Sequence, residues 1–175
     1  MKFSADGKLL AVGSGSRLLL WDATALQPLQ QLKDLSGNVE AIDFSPNNQF
    51  VLLGLNDGAV VAWDRREDKV IFNETRHEDR VRTVAFSPDG RVILSTGDDD
   101  VMIWWDAANA RPSVTRTDIV ARNAGFVLPE ASHVVVQNAR EVLLWNLHSG
   151  KLVNKYSVPR SGVAAFSYDH RRLLY

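Results

Sequence analysis

Apolar and β-branched residues fall in short runs along this chain, and clusters of Gly, Pro, Asp and Asn separate the runs. The stretch from His77 to Asp106 shows the pattern at its clearest. A run ending at Phe86-Ser87 meets the turn Pro88-Asp89-Gly90, and the run from Val92 to Thr96 meets Gly97-Asp98-Asp99-Asp100. A third run begins at Val101 and closes on Trp105-Asp106. Such runs between such turns predict strands joined by hairpins, one antiparallel sheet folding on itself. Trp104 and Trp105 are expected on opposite faces, because successive side chains of a strand alternate. No helical period interrupts the series, so the pattern predicts an all-β chain.

The unit repeats. Trp21-Asp22, Trp63-Asp64, Trp105-Asp106 and Trp145-Asn146 are separated by steps of 42, 42 and 40 residues. Phe3, Phe44, Phe86, Phe126 and Phe166 step by 41, 42, 40 and 40. Two independent markers thus give one period, inside the roughly 40–45 residues of a WD repeat. On these residues the whole chain resembles the WD-repeat β-propeller family. The resemblance implies an all-β propeller segment of about four four-stranded antiparallel blades plus the start of a fifth. The repeats fall approximately at 1–33, 34–76, 77–118, 119–158 and a partial 159–175. The chain opens on the tail of a first strand and stops inside a second one. The expectation is therefore a part of a larger ring, completed by missing chain or another subunit.

Within each repeat the apolar runs place the strands. The first gives Leu9–Gly13, Arg17–Asp22 and Pro28–Leu32; the second Val39–Ser45, Phe50–Gly54, Ala59–Asp64 and Lys69–Asn73. The continuous run Leu18-Leu19-Leu20 is expected to be covered on both faces. Arg65 to Lys69 reads as a solvated turn. Repeat four is eroded, with Phe126-Val127-Leu128-Pro129 in place of Phe-Ser-Pro-Asp.

Family resemblance also implies a hydrogen-bonded tetrad inside a blade. Matched residue by residue, the third repeat supplies His77, Ser95, Asp99 and Trp105. A buried carboxylate and an indole N–H each need a partner, which an imidazole and a hydroxyl can bridge. Elsewhere the His position holds Leu35, Thr117 and Ser157, and the Ser position Val12, Leu53 and Val135. The Asp survives as Asp57 but becomes Ala139 in repeat four. Most blades are therefore expected to rely on apolar packing, and the tetrad on a structural role.

Composition narrows the function. The 175 residues are 45% hydrophobic and 23% charged, with net charge -1, so nothing favours a nucleic acid or an anionic membrane as partner. No apolar stretch approaches the ~20 residues of a membrane span, and the start lacks a secretory core, which points to the cytoplasm. With no cysteine there is no disulfide and no thiolate metal site. Asp98-Asp99-Asp100 is the densest acidic run, but a tight hairpin turn has no room to wrap a hard cation. Gly13-Ser14-Gly15-Ser16 opens no helix, so neither a nucleophile elbow nor a phosphate loop is present. No catalytic residue, cofactor site or metal site is expected.

Surface remains. Propellers of this family present the loops before the first strands, and the turns between second and third strands, on one rim. Here that rim holds Arg76, Glu78, Asp79, Arg80, Asp98, Asp100, Arg122 and Arg160, candidates for meeting a protein or peptide partner. The resemblance favours a non-catalytic protein–protein interaction scaffold. The alternative is an accessory or sensor propeller of a multidomain enzyme whose catalytic part lies in absent chain.

Overall fold

The computed structural model describes residues 1–116, 123–127, 133–137, 141–146, 151–157, 165–166 and 173–174. These form four four-stranded antiparallel sheets and one two-stranded sheet. Blade one comprises β1 (Lys2–Phe3), β2 (Leu9–Gly13), β3 (Leu18–Asp22) and β4 (Gln27–Leu32). Blade two comprises β5 (Val39–Phe44), β6 (Phe50–Leu55), β7 (Ala59–Asp64) and β8 (Lys69–Thr75). Blade three comprises β9 (Val81–Phe86), β10 (Val92–Gly97), β11 (Met102–Asp106) and β12 (Arg111–Arg116). Blade four comprises β13 (Asn123–Val127), β14 (His133–Gln137), β15 (Glu141–Asn146) and β16 (Lys151–Ser157), and the last pair is β17 (Ala165–Phe166) with β18 (Leu173–Leu174).

Every four-stranded sheet is ordered as the chain runs, so each hairpin adds the next strand outward. The hairpin turns explain the repeated residues. Ser87 Oγ donates to Asp89 Oδ1 at 2.6 Å and accepts from Val92 N at 2.9 Å, while Arg91 N donates to Asp89 Oδ1 at 3.1 Å. Ser4 with Asp6, and Ser45 with Asn47, make the same set in blades one and two. The residue that bends each turn has positive φ: Gly7 (69°), Asn48 (56°) and Gly90 (71°). Glycine and asparagine are the residues that take this conformation cheaply.

The Asp of each Trp-Asp pair caps the next turn. Asp22 Oδ1 accepts from Thr24 N and Ala25 N, both at 2.8 Å, and Asp64 Oδ1 accepts from Arg66 N and Glu67 N at 2.8 and 3.2 Å. Asp106 Oδ1 accepts from Ala108 N at 2.8 Å. These are Asx turns, in which a short side chain replaces a backbone acceptor. The Trp itself sits at a register shift between third and fourth strands in all four blades. A bulge re-aims a side chain and raises local twist, and here it recurs with the period of the sequence.

Faces of successive blades form the core. Val51, Leu53, Val61 and Trp63 of blade two pack on Leu18 and Leu20 of blade one. The alternate residues Leu52, Val60 and Ala62 pack on Ile93, Ile103 and Trp105 of blade three. Trp104 faces the other way, onto Val134, Val136, Leu143 and Trp145 of blade four. Leu19 departs from expectation: it is half-buried, because only its neighbours Leu18 and Leu20 point into the interface with blade two. The turn after Asp64 is exposed from Arg66 to Lys69, as expected, and only its first residue folds back. Arg65 Nε donates to Asn48 O at 2.6 Å, and Asp68 Oδ1 accepts from Trp63 Nε1 at 3.2 Å.

One carboxylate joins three blades near the inner strands. Asp43 on β5 accepts from Phe86 N at 2.8 Å and meets Lys2 Nζ at 3.2 Å. Burial pushes its carboxyl above the ordinary 3.8, and the Lys2 charge and the Phe86 N–H oppose that only partly. A carboxyl with a raised folded-state pKa loses stability as pH rises from the unfolded value through the folded one. Asp43→Asn keeps the acceptor for Phe86 and removes the titration. Its stability relative to wild type should therefore improve as pH rises above the ordinary carboxylate value of 3.8 in urea melts. A gap that does not change with pH would show that Asp43 titrates normally.

Candidate functional site

The loop from Arg76 to Arg80 and the turn from Asp98 to Asp100 meet at one end of blade three. Between them lies a buried network. His77 Nδ1 lies 3.0 Å from each oxygen of Asp99, and His77 Nε2 lies 2.8 Å from Ser95 Oγ. Trp105 Nε1 donates to Ser95 Oγ at 3.0 Å. The structure thus brings His77, Ser95, Asp99 and Trp105 into one chain of hydrogen bonds. His77 and Asp99 side chains are 0% and 5% exposed, so none of this set reaches a solvent-borne substrate.

That network fixes the loop. Asp99 also accepts from Glu78 N at 3.0 Å and from Val101 N at 3.1 Å. Gly97 packs so tightly that a β-carbon there would collide with the Asp99 carboxylate and lie 2.7 Å from His77 Nδ1. Gly58, at φ +86°, passes directly under the His77 carbonyl. Both positions leave no room for a side chain.

The rim stands on this base. Asp98, a rim candidate, is exposed and clasped by Arg82, with Nε–Oδ1 and Nη2–Oδ2 both at 2.7 Å. Arg80 Nε lies 3.3 Å from Asp98 Oδ2, and Asp98 N donates to Arg80 O at 3.0 Å. The Asp98 hydrogen bonds, with Glu40 and Asp79 nearby, hold the Arg82 guanidinium charge more firmly than usual. Arg76 pairs with Glu74 at 3.5 Å, and Glu78, Asp79 and Arg80 are exposed. Asp100 closes the turn at φ 60°. Arg122 and Arg160 lie outside the described residues. Sequence reasoning missed Arg82, although its place between Val81 and Thr83 on an inner strand carried the signal. Among the described residues, no three His, Asp or Glu side chains gather as metal ligands.

In blade two the tetrad is replaced. Leu53 stands where Ser95 stands, and Trp63 turns its N–H to Asp68 instead. Asn56 Oδ1 there accepts from Asn38 N at 2.6 Å, taking over the bracing of the preceding loop.

The family model of the WD domain, G-beta repeat, matches residues 27–64 and 69–106. The chain carries WD repeats and has the fold of a β-propeller segment. Similar curated WD-repeat relatives include WD repeat and SOCS box-containing protein 1 of Xenopus tropicalis, 32% identical over 60% of this chain and 26% of the relative. Transducin beta-like protein 3 of Rattus norvegicus is 28% identical over 74% of this chain and 17% of its own length. Apoptotic protease-activating factor 1 of Homo sapiens is 25% identical over 81% of this chain and 11% of its own. A chain in the crystal structure of the mitotic checkpoint complex superposes with a TM-score of 0.81 at 23% identity, over 89% of this chain and 51% of that one. The WD-repeat chain therefore spans about a quarter or less of these curated relatives, and about half of the solved propeller.

Proposed function

We propose that this chain is a non-catalytic scaffold of the cytoplasm that presents the Arg76–Arg80 and Asp98–Asp100 rim to a protein or peptide partner. The observation that supports this reading is the contrast between a rigid base and a polar crown. Buried His77 and Asp99 brace the loop backbone, while Arg80, Glu78 and Asp79 stand in solvent directly above. Preorganised loops lose less conformational entropy on binding, and Arg supplies a planar fork for carboxylates or carbonyls. The buried tetrad carries hydrogen bonds and no access for substrate, which supports structural work in place of catalysis.

Affinity capture with the full chain tests the reading. Proteins retained by wild type should be lost by Arg80→Ala, with thermal melting unchanged, and kept by Arg66→Ala and Lys151→Ala. Loss only with the latter pair would assign recognition to the opposite rim. A tagged chain excluded from the cytoplasm would overturn the compartment.

A further inference from the structure

Repeats one, two and three align position for position, so the two grooves between their blades can be compared directly. Between blades one and two, Gln30 Nε2 donates to Arg65 O at 2.8 Å, and Arg65 in turn reaches Asn48 O at 2.6 Å. This polar plug bridges blades one and two. One period later, Gln30 becomes Phe72, which pairs with Ala62 as Gln30 pairs with Leu20, and Arg65 becomes Ala107. The backbone bond is kept, since Arg65 N donates to Gln49 O and Ala107 N to Arg91 O. The plug is gone. In its place is a cavity of about 820 Å³ between blades two and three, walled by Phe50, Ile71, Phe72, Phe86, Ala107 and Ala108.

We infer that this groove is a second docking site, separate from the rim, for an extended segment of a partner protein that carries a large apolar side chain beside an acidic one. Three features select that occupant. The walls are mostly apolar, Ile71 is 44% exposed, and the volume lies within the ~300–1,000 Å³ of pockets that bury ligands. One exposed cation, Arg91, stands at the mouth. The groove's two carboxylates are occupied, Asp64 by Gln49 Nε2 and two backbone N–H groups, Asp106 by Ala108 N and Asn109 Nδ2. Arg91 at the mouth is 86% exposed and only 4.0 Å from its nearest carboxylate, Asp89, so it is the cation a ligand's acid would meet. The backbone also suits a peptide. β8, which supplies Ile71 and Phe72, is the outer edge of its sheet, and an edge strand offers backbone groups to an added strand.

The groove opens at the end of the blade that holds the β9–β10 and β11–β12 turns. The rim sits at the other end, on the β10–β11 turn, so the two sites can be occupied together.

A random-peptide phage library panned on the full chain, followed by fluorescence anisotropy of the selected peptides, tests this. The recovered peptides should share a large apolar residue next to Asp or Glu. The double variant Phe72→Gln, Ala107→Arg restores the plug already tolerated between blades one and two. It should fold, with a lowered melting temperature because Phe72 gives up its stacking on Trp105, and bind at least about tenfold more weakly. Arg91→Glu should weaken the acidic peptide about tenfold and leave a version with alanine for the acid unchanged. Arg80→Ala should change neither. If the double variant does not fold, Arg91→Glu decides alone, because its side chain lies in solvent. The inference is overturned if panning yields no such peptide, if the groove variants bind normally, or if Arg80→Ala abolishes binding. Light scattering that shows a dimer dissociated by the double variant would also overturn it, by assigning the groove to a second copy of this chain.

Discussion

Trp104→Ala should cost about 3–5 kcal/mol in a urea melt. Trp104 is 2% exposed and lies in the cluster that joins Leu94 and Met102 of blade three to Val134, Val136 and Leu143 of blade four. Close-packed interiors relax little around a lost indole, so most of that volume becomes cavity. The neighbouring Trp105 makes the contrast. Its ring stacks on Phe72 with centroids 6.3 Å apart, and its N–H holds Ser95. Trp105→Phe keeps an aromatic ring there and removes the donor, at about 1–3 kcal/mol. Blade four should also loosen in Trp104→Ala, read as faster amide exchange in Val134 to Gln137. Equal costs for the two variants would show that the packing between blades three and four is not what Trp104 supplies.

Much of the fold was legible because the sequence repeats its turns. Gly58, Gly90 and the Asp after each Trp mark positive φ or an Asx turn, and those local demands recur with the period. Strands from Leu9–Gly13 to Met102–Asp106 consequently lie within a few residues of where the apolar runs placed them. The four residues of the tetrad were legible through the family pattern, and their geometry is a single connected network.

What the sequence hid lies between repeats. The groove arises because position 30 and position 65 act together across one blade interface, and their counterparts 72 and 107 act across the next. No strand or turn pattern reports a pair 35 residues apart on different sheets. Arg65 looked like one more charge in a mixed run, whereas its guanidinium folds back on Asn48. Asp43 was silent for a similar reason. Its partners, Lys2 and the backbone of Phe86, come from the first and third repeats, so the register of three sheets is needed to place it.

Asp99→Ala should destabilise the chain by about 1–3 kcal/mol for each buried group it strands, and more than one is stranded. The carboxylate satisfies His77 Nδ1, Glu78 N and Val101 N at once. Alanine replaces none of these bonds, and the buried imidazole cannot turn to water without breaking its contact with Ser95. Asp98→Ala removes two ion pairs at the surface, with Arg82 and Arg80, where the three side chains are 34%, 40% and 46% exposed, and such pairs contribute about 0–1 kcal/mol each. Asp100→Asn keeps a residue that accepts φ 60° and should change stability little. The order Asp99 far above Asp98, and Asp98 at or above Asp100, should appear in the midpoints of thermal melts. Because Glu78 N hangs on Asp99, the same variant should also release the rim loop and weaken any partner held by Arg80, whereas Asp98→Ala would weaken that partner with the fold intact. Indistinguishable midpoints for the three variants would mean that the tetrad does not brace the loop, and the rim would lose the rigid base on which its recognition role depends.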